Sequence, residues 1–314
     1  MRKLLCIIIA VAALAACGQS EEERKRLSRE ERIRLQREDS AAFKVAVMPT
    51  LDCLPLYVAR QHHLFDSLGA DVRLRRFTAQ MDCDTALAGG SVEAAVTDLV
   101  RAQRLMDGGT PLTYVTSTNA YWLLIANRNA RIREPKQLYD KMLAGTRYSA
   151  TDLLGDNVVS GAKIKDERVF RVQINDVTVR LDMLRNNEMD AMFLTEPQAT
   201  AALLLKHNAI ADSRRMDMRL GAFAARGDRM ADADRKRQLE VLKRAYNMAC
   251  DSINKYGVGH YRHLVGEYCG IDAAVADSIG SRLKFAHIEP PRDKDIETAK
   301  KWLKTRKAPA NGKR

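Results

Sequence analysis

Leu87-Ala-Gly-Gly-Ser-Val-Glu-Ala-Ala-Val96 is echoed 97 residues later by Leu184-Arg-Asn-Asn-Glu-Met-Asp-Ala-Met-Phe193. Identities are few, but both stretches make the same physical statement. A helix closes on a leucine and stops on Gly89-Gly90 or Asn186-Asn187, residue types that tolerate the left-handed backbone of a helix cap. An acid-Ala pair, Glu93-Ala94 or Asp190-Ala191, then opens a short apolar run of buried-strand length. The same offset sets Val72-Arg-Leu-Arg-Arg-Phe77 against Val169-Phe-Arg-Val-Gln-Ile174, and Lys44-Val-Ala-Val-Met48 near Lys141-Met-Leu-Ala-Gly145. Each half therefore reads strand, helix, strand, helix, strand. That alternation predicts an α/β chain with two lobes, each a mainly parallel sheet flanked by helices.

The rest of the chain fits around this pair. Strands are expected at 44–48, 71–77, 94–97 and 112–118, with helices at 54–64, 81–88 and 99–106. The run 121–127 is long enough to leave the first lobe as a crossing strand, and 220–225 would cross back. Residues 41–127 thus form the first part of lobe one, 128–212 lobe two, and 213–314 the return to lobe one with C-terminal helices. In that return Leu239, Leu242, Tyr246, Ala249 and Ile253 are spaced three and four apart, one apolar helix stripe for packing. A last helix is expected at 293–304, with 308–314 frayed.

The N-terminus carries a different message. Arg2 and Lys3 precede an apolar run, 4–16, shorter than the roughly 20 residues that span a bilayer. It reads as a signal peptide, 1–16. It ends Leu14-Ala15-Ala16-Cys17-Gly18, which resembles the bacterial lipobox and implies acylation of Cys17, cleavage before it, and palmitate-type anchoring to a membrane. Residues 17–40 alternate Arg and Lys with Glu and Asp and offer little to bury, so they read as a charged tether. The expected location is the cell envelope facing the periplasm. Ser20-Glu21-Glu22-Glu23 resembles the acidic signals of surface-exposed lipoproteins and keeps that alternative open. The net charge of +12 falls to +10 without Arg2 and Lys3. The basic residues are dispersed and not interleaved with stacking aromatics, so no nucleic-acid partner is expected.

Met48-Pro49-Thr50-Leu51-Asp52 followed by Leu54-Pro55-Leu56-Tyr57-Val58-Ala59 is similar to the first strand and helix of ABC-importer solute-binding proteins, which have the type 2 periplasmic binding fold. The branch it resembles includes binders of sulfonates, taurine, nitrate and thiamine-precursor pyrimidines. Residues 88–95 and Glu196-Pro197 match further elements of that branch. The resemblance covers roughly 44–226. It implies two lobes closing on a small-molecule ligand by hinge motion, a permease and an ATPase in the inner membrane as partners, a monomer, no cofactor and no catalysis.

Ligands of open parallel sheets sit outside the carboxyl ends of the strands. The polar residues there are Thr50, Asp52, Gln80, Asp82, Asp98 and Asn119 from lobe one, and Arg147, Tyr148, Ser149, Asn175 and Glu196 from lobe two. Tyr121 and Trp122 could stack on a flat ligand. The alternative for Asp, Asn, Ser and Thr before a helix is plain N-capping, with Asp176 and Asp82 the foremost candidates. Asp52, Asp98 and Glu196 oppose an anion although Arg147 would suit one, so the expected ligand carries amine or hydroxyl donors and is pyrimidine-like in one version. Disulfides Cys53–Cys83 and Cys250–Cys269 are an option in an oxidising compartment, separate buried thiols the other. His260 and His263, one helical turn apart, read as solvated helix residues and not as a metal site.

Two further readings stand beside this one. An enzyme on the same fold would resemble the pyrimidine synthase of thiamine biosynthesis, which uses its own His and a Cys-rich motif. The chain has no clustered Cys motif, no Gly-x-Ser-x-Gly elbow and no phosphate loop. A lipoprotein presenting ligand to a membrane sensor is the other.

Overall fold

The computed structural model describes residues 29–307, so the expected signal peptide and the expected acylation of Cys17 lie outside the described residues. The chain divides into two compact units, 1–42 and 43–314. The described part of the first includes helix α1 (Arg29–Ala41), in which residues 31–41 are exposed apart from the half-buried Asp39. Among the described residues no helix is long and apolar enough to cross a membrane.

The second unit begins with β1 (Phe43–Val47), α2 (Leu54–Gln61), α3 (Leu64–Ser67), β2 (Val72–Arg76), α4 (Gln80–Ala88), β3 (Ala94–Asp98), α5 (Leu99–Asp107) and β4 (Leu112–Ser117). Then follow β5 (Leu123–Ala126), β6 (Lys141–Gly145), α6 (Ala150–Gly161), β7 (Val169–Gln173), α7 (Val177–Arg185), β8 (Ala191–Leu194), α8 (Gln198–Leu204) and β9 (Asn208–Asp212). The chain returns through β10 (Gly221–Arg226) to α9 (Ala233–Tyr256), α10 (Arg262–Cys269), α11 (Ala273–Ile279) and α12 (Asp293–Lys307).

Two five-stranded sheets form, ordered β2-β1-β3-β10-β4 and β7-β6-β8-β5-β9. Their topologies are the same once β2, β1, β3, β10 and β4 are matched to β7, β6, β8, β5 and β9. The offset of 97 carries β2 onto β7 and α4 onto α7 residue for residue. The acid of each acid-Ala pair has the same task in both lobes. Glu93 Oε2 accepts the Lys44 N–H at 2.6 Å, and Asp190 Oδ2 accepts the Met142 N–H at 2.9 Å. A carboxylate thus ties the first strand to the third before their own ladder bonds begin, which explains why an acid recurs there.

The sheets are mixed rather than wholly parallel. β10 runs antiparallel to β3 and β4, and β5 antiparallel to β8 and β9. The two crossing segments each supply the reversed strand of the sheet they enter, so the direction of crossing fixes the exception. The stripe on α9 is buried as expected, with Leu242 and Ala249 fully covered. The last helix does more than return to lobe one. α12 packs on α5, and it also reaches lobe two, where Trp302 Nε1 donates to Asp156 Oδ2 at 2.8 Å and Arg306 to Asp156 Oδ1 at 2.6 Å.

The cysteine pairings are not present. Cys53, Cys83, Cys250 and Cys269 are four buried free thiols. Cys53 Sγ accepts the Met48 N–H at 3.3 Å, which turns it toward its own strand end. Burial pushes the Cys83 and Cys250 thiols up to about 12, so they stay protonated.

Candidate functional site

Three strand ends of lobe one and their counterparts in lobe two meet face to face. Thr78 O accepts from Val177 N and Asn175 O from Gln80 N, both at 3.3 Å, with Ala79 opposite Asp176 in an antiparallel bridge. All three positions in one lobe match the other at the offset of 97, so the contact is self-complementary about a local two-fold. Further in, Leu51 N donates to Glu196 O at 2.9 Å and Gln198 Nε2 to Pro49 O at 2.7 Å. Ala150 N, the first residue of α6, donates to Asp98 Oδ1 at 3.1 Å. The lobes are shut on each other, and a narrow cavity is left between them.

Thr50, Asp52, Gln80 and Asp98, all expected at the site, line this cavity. Asp52 is satisfied within lobe one: Thr50 Oγ1 donates to Oδ1 at 2.6 Å and Thr118 Oγ1 to Oδ2 at 3.3 Å. Burial raises its carboxyl, against the pull of these hydroxyls. Asp98 caps α5, its Oδ1 accepting from Val100 N at 3.0 Å and Arg101 N at 2.9 Å besides Ala150 N. Its Oδ2 has no partner. Only 1 % of the residue is exposed, and burial pushes the carboxyl up to about 6 although Arg101 and the amides oppose it.

Arg101, Arg180 and Gln198 also line the cavity and were not expected there. Each lies in the first turn of a helix, Gln198 at its first residue, Arg101 at its third and Arg180 at its fourth, where sequence reading sees an ordinary helix position. Gln198 and Arg101 occupy matching positions at the offset of 97, a signal that was available. Arg101 donates through Nε and Nη2 to Asp84, and through Nη2 to Gln80 O. Arg180, wholly buried, donates to Ile174 O, Phe193 O and Thr146 Oγ1. No carboxylate lies within ion-pair distance of it among the described residues, and burial lowers it to about 10. Gln80 Oε1, Thr97 Oγ1 and Gln198 Oε1 join Asp98 Oδ2 as buried oxygens without a partner. The apolar wall is Met48, Val96, Trp122, Val177, Phe193 and Leu194.

Other expected residues fall elsewhere. Asp82 is exposed in the first turn of α4, and Asp176 is the N-cap of α7. Asn175 stands at the bridge, its backbone used to join the lobes. Ser149 caps α6, while Arg147 and Tyr148 are exposed beside it. Glu196 is taken up by Tyr121 Oη and by Thr200, whose amide and hydroxyl both donate to it. Asn119 and Tyr121 line a separate cavity of ≈ 590 Å³ beside the 282–289 segment, where the Arg214 guanidinium lies 3.8 Å from the Tyr121 ring centre. Among the described residues no cluster of His, Cys, Asp and Glu could hold a metal ion.

Residues 50–214, more than half of the chain, match the family model described as NMT1/THI5 like. The chain belongs to that family. No curated protein matches it in sequence. Among solved structures it is similar to the alkanesulfonate-binding protein of Xanthomonas axonopodis pv. citri bound to MOPS, with a TM-score of 0.73 at 15% identity over 84% of this chain and 92% of that one. The periplasmic aliphatic sulphonate binding protein of Escherichia coli superposes with a TM-score of 0.69 at 16% identity, covering 85% and 94%. The periplasmic nitrate-binding protein of Synechocystis PCC 6803 gives 0.63 at 12%, covering 82% and 74%. At these identities the likeness carries the fold, and it is the two-lobed periplasmic-binding-protein fold. The family match starts at Thr50 and ends just past β9, so it spans the first strand end, both halves of the cleft and the first crossing segment.

Proposed function

We propose that this chain is a membrane-anchored solute-binding lipoprotein of an ABC importer, which captures a small organic molecule between its lobes and turns nothing over. The observation that supports it best is the interlobe cavity, to which both sheets contribute strand-end residues and in which four buried oxygens lack partners. Buried polar groups without partners are rare in folded proteins, and a ligand with hydrogen-bond donors would satisfy them. Closure by hinge motion is consistent with the two crossing segments and with hydrogen bonds that join strand ends across the cleft. A ligand that bridges the lobes would favour the closed state.

Acylation of Cys17, periplasmic exposure, a monomeric state and delivery to an inner-membrane permease and ATPase complete the reading. Delivery to a membrane sensor is the variant distinguished by a neighbouring permease gene. For the synthase-like enzyme, the cavity offers neither His nor Cys in its lining, which favours binding over catalysis. A thermal-shift screen of amines, pyrimidines, sulfonates and nitrate tests the proposal, since a ligand that binds only the folded chain raises its melting temperature. A saturable shift with the ligand recovered unchanged is expected. Consumption of the ligand would replace the binding reading with the enzymatic one.

A further inference from the structure

Which molecule fits the cleft is a question about four atoms. Gln80 Oε1, Gln198 Oε1 and, in the ionised form, Asp98 Oδ2 accept hydrogen bonds and cannot donate them, and Thr97 Oγ1 can do either. The orientation of the Gln198 amide is fixed by its own bond: Nε2 is spent on Pro49 O at 2.7 Å, which leaves Oε1 for the cavity. Asp98 is fixed likewise, because three backbone N–H groups occupy Oδ1 and leave Oδ2 as its free atom. All four residues are more than nine-tenths buried.

Charge narrows the choice. A buried carboxylate calls for a counter-ion, and among the described residues Asp98 has none within ion-pair distance. The nearest cation on its own helix, Arg101, is held by Asp84 and Gln80 O. Arg180 gives one N–H from each nitrogen to two backbone carbonyls and a hydroxyl, all neutral acceptors. An anion entering here would meet Asp98 Oδ2, and Arg101, the cation on the same helix, is already paired with Asp84. A cation with several N–H donors would meet matched acceptors.

Resting on the solute-binding reading above, we infer that the ligand is a small primary amine, bound as its ammonium, with the three N–H donors shared among Asp98 Oδ2, Gln198 Oε1 and Gln80 Oε1. Its apolar body lies along Trp122 and Phe193, which line the same cavity. Asp98 then has two tasks on two oxygens. Oδ2 takes the ammonium of the ligand, and Oδ1 holds the Ala150 amide of the opposite lobe. Selection for charge and closure of the lobes meet in one carboxylate. A quaternary ammonium has the charge but no N–H, and a neutral amide has an N–H but no charge, so both should be refused.

The test is a calorimetric and thermal-shift series on the full chain. The probes are n-butylamine, putrescine and 2-phenylethylamine, their N-acetyl and N-trimethyl counterparts, and butanesulfonate. At least one primary amine should bind, its capped counterparts at least 10-fold more weakly, and butanesulfonate not at all. Asp98→Asn and Gln198→Leu should each weaken the amine at least 10-fold. Cooperative melting of each variant shows that it is folded. Asn keeps an oxygen for the Ala150 amide, so its loss reports charge rather than the cap. If butanesulfonate or an acetylated amine binds and the free amines do not, the ammonium inference falls while the solute-binding reading stands. An amine bound equally well by Asp98→Asn also overturns it. If no probe binds and none in the wider screen does, the solute-binding reading fails and the inference fails with it.

Discussion

Asp98→Asn should reverse the usual cost of removing a helix cap. The side chain keeps its shape, and an amide oxygen can still accept from Val100, Arg101 and Ala150. What changes is the buried charge. Burial raises the carboxyl from its ordinary 3.8 to about 6, so the folded state holds a proton that the unfolded state has released across that window. An acid raised in this way contributes stability that is fully present below pH 3.8 and is lost as pH rises through 6. At about 1.4 kcal/mol per pH unit, the wild type should lose about 2–3 kcal/mol between pH 4 and pH 7 relative to the variant, which has nothing to titrate there. Urea unfolding at pH 4, 5, 6 and 7, followed by far-UV circular dichroism, measures the difference directly, since Asp52 and the surface acids remain in both proteins. A constant offset from pH 4 to 7, or a wild type that gains on the variant as pH rises, would refute the reasoning.

The same carboxylate predicts an opposite slope for ligand. Affinity for a primary amine should rise about 10-fold from pH 5 to pH 7 as Asp98 ionises, and titration calorimetry at the two pH values checks it. Glu93→Ala should cost about 1.5–3 kcal/mol in urea unfolding, because it leaves the Lys44 amide without its charged acceptor, and Asp190→Ala, on a more exposed residue, should cost less. Cys53, Cys83, Cys250 and Cys269 should alkylate only after unfolding, as peptide mapping with and without urea would show; labelling in the native protein, or unlabelled disulfide-linked peptides, counts against four buried thiols. Cys17→Ser should abolish acyl labelling and release the protein from membranes, and continued sedimentation with membranes would remove the lipoprotein reading.

The architecture was legible because its signals are local. A leucine, two cap residues and an acid-Ala pair mark the same helix end and strand start in both lobes, and they do so at one offset. The reversed direction of β5 and β10 was not legible, since strand direction within a sheet is set by partners far away in sequence. The site was half legible for a related reason. Thr50, Asp52, Gln80 and Asp98 sit at strand ends or the start of the next helix, where topology alone points to the cleft. Arg101, Arg180 and Gln198 act from within the first turn of a helix, and whether such a position faces a cleft or a core depends on how the lobes meet. Glu196 and Tyr121 looked like ligand contacts but satisfy each other. Asn119 faces the 282–289 segment, where its amide donates to Lys284 O at 3.0 Å.

Trp122 lines the interlobe cavity, and the only other tryptophan is Trp302 on α12. In Trp302→Phe all tryptophan emission therefore comes from the cleft wall. Titrating that variant with a ligand that raises its melting temperature measures occupancy where the site is placed. A saturable change in Trp122 emission, with one equivalent bound per chain and the ligand recovered intact, is the predicted result. A ligand that stabilises the protein yet leaves Trp122 emission unchanged at saturation would contradict binding between the lobes.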